Sequence, residues 1–110
     1  MFDAGQTRTA PELSHPDLGE VDLPSLLHAL SDPMRLEIVR TLAEVDSCSC
    51  KAIELPVSKA TASHHFKVLR QAGVIAQHDE GTRRISRLRR DELEQRFPGL
   101  LQSVLRAAQV

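Results

Sequence analysis

A small, mainly α-helical domain carrying one β-hairpin is predicted by three observations. First, Ser58 to Gly73 (SKATASHHFKVLRQAG) winds into a helix with one polar, cationic arc and one largely apolar arc. Second, a short segment expected to be helical, Cys48 to Leu55, is closed by Pro56 just before it, so two helices meet across a tight turn. Third, Asp79-Glu80-Gly81-Thr82 separates two stretches read as strands, and the second is packed with arginine. Together these make a winged helix-turn-helix, in the order α-α-α-α-β-β-α.

Residues 1–22 are rich in Asp, Glu, Gly, Pro and Thr and are expected to form a flexible N-terminal arm, followed by one domain over 23–110. Pro24 to Leu30 reads as a short helix with Leu26, Leu27 and Leu30 on one face. Asp32-Pro33 opens the next, with Asp as N-cap and Pro in the first turn, running to about Val45. Met34, Ile38, Val39 and Leu42 form its apolar stripe. In the Ser58–Gly73 helix, Lys59, Arg70, Ser63, Lys67, Ala60, Gln71 and His64 fall within an arc of roughly 140°. His65 falls on the apolar arc and is expected to be a core histidine with an internal partner. Ser58 is a suitable N-cap and Gly73 a suitable stop.

Val74 to His78 and Arg83 to Leu88 are the expected strands. Their alternation is weak, since Ile85 and Leu88 have opposite parity, and the turn chemistry carries the assignment. Five arginines in the eight residues 83–90 exceed what edge protection requires. Asp91 opens a final helix, which Pro98 breaks or restarts. Leu100, Leu101, Val104 and Leu105 then recur at helical spacing. With Leu26 and Leu27 they are read as a dimer interface.

The chain of 110 residues is long enough for one domain, with a core that must be aliphatic because it has three Phe and no Trp or Tyr. No apolar run approaches the roughly 18 residues of a membrane span, and the acidic start does not resemble a signal peptide. Two Cys in a CxC pair point to a reducing, cytoplasmic setting rather than a disulfide framework. The net charge of −1 conceals segregation. Residues 1–57 carry four basic side chains against ten acidic ones, whereas residues 58–90 carry eight basic against Asp79 and Glu80. A cationic middle third in a near-neutral chain is directed at a polyanion, or else neutralises the acidic third within a dimer.

LSDPMRLEIVRTL, then SKATASHHFKVLRQAGVI and EGTRRISRL, closely resemble the ArsR/SmtB family of bacterial winged-helix repressors, over roughly Leu23 to Leu105. The resemblance implies a homodimer on a double-stranded DNA operator with inverted half-sites, away from any membrane, and controlled by an inducer or a metal. It places the DNA-reading positions at Lys59, Ala60, Ser63 and His64, on the arc already derived, and the wing at Gly81, Thr82, Arg83 and Arg84. Ser63 and His64 suit base edges. Lys67, Arg70 and the wing arginines suit phosphate.

Family members often sense metals through cysteines before the recognition helix, where Cys48 and Cys50 stand. Two soft ligands need one or two more, and the candidates are His15, His28 and carboxylates such as Asp46. The effector is therefore expected to be a transition metal ion, zinc or nickel, or a thiol signal. Cys50 also suits a small core position. A regulator without metal sensing, or a winged helix serving as a protein-interaction module, remains open. No Gly-rich phosphate loop, nucleophile elbow or HExxH motif is present, and Ser63 and His64 are helix neighbours pointing outward, so no enzyme is expected.

Overall fold

The structure, a computed structural model, describes residues 13–108. Five helices surround a three-stranded antiparallel sheet: α1 (Leu23–Ala29), α2 (Pro33–Ala43), β1 (Cys48–Ser49), α3 (Lys59–Gln71), β2 (Ile75–Glu80), β3 (Arg83–Leu88), α4 (Arg90–Arg96) and α5 (Leu100–Ala108). The sheet order is β1-β3-β2, so β3 is central. Helices α2 and α3 with the β2–β3 hairpin form the winged helix-turn-helix. Among the described residues no helix is long and apolar enough to cross a membrane.

The helix boundaries follow from their caps. Asp22 accepts from Ser25 N–H at 2.7 Å and opens α1. Asp32 accepts from the Met34 and Arg35 amides and opens α2, with Pro33 in its first turn. Helix α2 stops at Ala43, two residues before the expected end, and Arg90 Nη2 donates to the freed Ala43 carbonyl at 2.8 Å. Pro98 and Gly99 divide the C-terminal stretch into α4 and α5.

The short helix expected over Cys48–Leu55 is not formed. Cys48 and Ser49 pair with Ser86 and Ile85 of β3, and a 3-10 turn follows at Cys50–Ala52. The pairing partner lies far along the chain, so tertiary structure overrides the local preference. The hairpin is also tighter than expected. Asp79 and Glu80 remain in the ladder opposite Arg84 and Arg83, leaving Gly81-Thr82 as a two-residue loop, with Gly81 at φ 62°.

Residues 13–22 join the packed body. Leu18 and Val21 are buried in the core, and Leu13 N–H donates to Gln77 O at 3.1 Å along the outer edge of β2. Arg89 Nη1 donates to Pro16 O, and Arg96 donates to the carbonyls of Leu18 and Val21. Packing therefore begins before the boundary expected at Leu23. Residues 1–12 of the expected arm lie outside the described residues.

The core gathers Leu26 and Ala29, Ile38, Val39 and Leu42, Phe66 and Leu69, and Val74, Ile75, Leu88, Leu93 and Leu101. Buried Arg35 joins three helices at its margin. Its Nε donates to Ala29 O at 2.7 Å, Nη2 to His28 O and Nη1 to His65 Nδ1, both at 3.2 Å. A guanidinium only donates, so His65 Nδ1 is the acceptor. The core histidine expected at 65 has its internal partner. Leu26 and Leu101, expected at a dimer interface, are instead 2% and 8% exposed and serve their own protomer's core.

Candidate nucleic-acid interface

Helix α3 is capped at both ends by its own sequence. Ser58 Oγ accepts from Thr61 N–H at 3.1 Å. At the other end Gly73, at φ 84°, donates to Arg70 O while Val74 donates to Leu69 O, a Schellman closure. The helix buries His65, Phe66 and Leu69. Lys59, Ala60, Ser63, His64, Lys67 and Gln71 are exposed, and Arg70 is half-buried. The polar arc read from the helical wheel is therefore the solvent face.

A groove of about 570 Å³ runs between α3 and the wing. Lys59, Ser63, Lys67 and Arg70 line one wall, and Gly81, Thr82, Arg83 and Arg84 the other. Lys51, at the 3-10 turn before α3, adds a cation that sequence reasoning missed. Its only signal was its place just ahead of a recognition-type helix. Ala60 and His64 do not line this groove and lie on the far flank of the same exposed arc.

One face of the hairpin changes character along its length. Ile75 and Leu88 pair in the core, Gln77 and Ser86 form a buried polar layer, and Asp79 and Arg84 form an exposed ion pair. Arg84 donates to both Asp79 oxygens, at 2.8 and 3.2 Å. These hydrogen bonds hold the Asp79 carboxyl below its ordinary value and raise Arg84 above its own. Of the cations in residues 83–90, Arg89 is buried between Glu92 and Pro16 O, and Arg90 holds Ala43 O. Two of the arginines counted as wing charge thus hold the fold.

The expected metal ligands do not converge. His15 Nε2 accepts the Gln77 N–H at 2.8 Å. Cys50 Sγ lies 3.3 Å from Ser86 Oγ and accepts from Gln77 Nε2 at 3.4 Å. Burial pushes the Cys50 thiol up, against its bonds to Ser86 and Gln77. Cys48 is a free, half-buried thiol on β1, and His28 is exposed on α1. Among the described residues no three His, Cys, Asp or Glu side chains gather where they could hold a metal ion. The residues described in one protomer therefore do not fit a metal centre.

A helix-turn-helix domain model matches residues 30–78. The HTH-type transcriptional regulator YceK of Bacillus subtilis is 37% identical over 82 residues, which is 72% of this chain and 82% of that protein. The arsenical resistance operon repressor of Staphylococcus xylosus is 32% identical over 74 residues, 66% of this chain and 71% of that protein. The cadmium resistance transcriptional regulatory protein CadC of Listeria innocua is 38% identical over 69 residues, 58% of each.

Proposed function

The chain belongs to the ArsR family of helix-turn-helix transcriptional regulators, which are DNA-binding proteins and not enzymes, and from that premise we propose a cytoplasmic repressor that binds an inverted-repeat operator as a homodimer. The observation that carries this reading is the groove in which the exposed arc of α3 and the wing cations face the same space. A short helix with small polar side chains at its N-terminal end suits the major groove, and flanking cations suit the backbone on either side. Lys59, Ala60, Ser63 and His64 are assigned to base edges, and Lys67, Arg70, Thr82, Arg83 and Arg84 to phosphates.

The homodimer is assigned to α1 and α5. Leu23 and Leu27 are 43% and 44% exposed on α1, and Leu100, Val104 and Leu105 lie partly buried on α5. Two half-sites require two copies of α3, and a paired apolar face supplies them.

The effector is assigned to the thiol pair Cys48 and Cys50, in keeping with relatives named for arsenical and cadmium resistance. Two thiols fall short of a closed soft-metal site, so a metal effector requires donors beyond those described in one protomer.

The test is duplex binding followed across a salt titration. Specific binding that falls steeply with salt supports the reading, through the release of several counterions. Salt-independent binding, or none, refutes it. Titration with zinc, nickel and cobalt separates the effectors. Thiolate-to-metal absorption that disappears in Cys48→Ser or Cys50→Ser supports the cysteine assignment, and tight nickel binding without that absorption refutes it.

A further inference from the structure

Gln77 lies beneath the groove, 1% exposed, with every polar atom engaged. Its carbonyl accepts from Leu13 N–H and its own N–H donates to His15. Its Oε1 accepts from Arg70 Nη1 at 2.8 Å, while Nε2 donates to Ser86 Oγ at 3.0 Å and to Cys50 Sγ at 3.4 Å. The amide orientation follows from chemistry: a guanidinium only donates, so the atom facing Arg70 is the oxygen. Arg70 Nε is shielded from solvent and has no partner among the described residues. The Gln77 bond is what holds this guanidinium.

We propose that Gln77 is the positioning residue of the DNA interface: it aims Arg70 into the groove without neutralising it. The proposal rests on the reading of Arg70 as a phosphate contact. The contrast is with the two arginines held by carboxylates. Arg84 is held by Asp79 and Arg89 by Glu92, and each partner cancels the charge it orients. A neutral amide fixes the arginine and leaves its full charge for a phosphate. Fixing it beforehand removes part of the ordering cost that a free arginine pays on binding. The same amide reaches Cys50, so the thiol and the DNA-facing arginine share one hydrogen-bonded network.

Fluorescence anisotropy on a random-sequence duplex at low salt, with native protein, Arg70→Met, Gln77→Met and the double variant, tests this. Each single change is expected to weaken binding by about three- to tenfold, and the double variant to bind no more weakly than Arg70→Met alone. Native-like binding by Gln77→Met overturns the proposal, as does a Gln77→Met loss of the same factor in the Arg70→Met background. If Arg70→Met itself binds like the native chain, the phosphate reading of Arg70 fails and the proposal fails with it. Should Gln77→Met not fold, nuclear magnetic resonance of the native protein decides. Resolved, slowly rotating Nη signals for Arg70 are expected, and averaged signals like those of exposed arginines overturn it.

Discussion

Arg84 meets any phosphate with its Nε–Nη2 edge already committed to Asp79, whereas Arg83 beside it lies opposite Glu80 with no ion pair among the described residues. The two wing arginines should therefore differ. Arg83→Ala is expected to lower affinity for all duplexes and flatten the salt slope by about one, and Arg84→Ala to flatten the slope less, because Asp79 already balances the Arg84 charge, although the carboxylate it frees beside the groove also opposes binding. His64→Ala, on the exposed flank of α3, should reduce discrimination between operator and random duplex more than it reduces random-duplex binding. Measuring both duplexes across salt checks all three; equal losses everywhere would collapse the division between reading and anchoring. Residues of this kind were partly legible. The exposure of Lys59, Ser63 and His64 followed from their angle on a wheel. Arg35, Gln77 and Arg89 did not, because nothing local distinguishes a charged or amide side chain bound for the interior from one bound for solvent.

Among the elements, α3 was the most legible, since Ser58, Gly73 and the apolar arc all specify the same helix. Gly73 does a second job that its spacing did not announce. A Cβ there would lie 2.9 Å from Val21 Cγ2, in a backbone conformation that side chains rarely adopt. Gly73→Ala should destabilise the fold by about 1–3 kcal/mol, read by thermal or denaturant unfolding, and an unchanged midpoint would refute this. β1 was illegible for the opposite reason. Two residues cannot show a period, and they are extended only because β3 offers Ser86 and Ile85 as partners. The weak alternation in β3 has a related cause. Leu88 points into the main core, while Ile85 is buried on the opposite face of the hairpin, so both parities are covered.

At the scale of the whole molecule, acid should loosen the fold. Asp32 is pushed up by burial, but hydrogen bonds from the Arg35 and Met34 amides and the Arg35 charge outweigh this and leave it below its ordinary 3.8. Arg89 lowers Glu92 below 4.5. Carboxyls lowered in the folded state contribute stability that is complete above their ordinary values and disappears as pH falls through the lowered ones. Unfolding midpoints should therefore drop between about pH 5 and pH 2, with Glu92→Gln blunting the drop; a flat profile would contradict it. Assembly is testable separately: Leu27→Asp should give a monomer in sedimentation and weaken operator binding, while leaving the protomer's melting temperature nearly unchanged. The strap formed by residues 13–22 has a practical corollary for anyone trimming the gene. A shortened version starting at Leu23 would strip Leu18 and Val21 from the interior and leave the rim of the hairpin bare, inviting neighbouring molecules to zip onto it. The contrast with the full chain would appear as aggregation in light scattering.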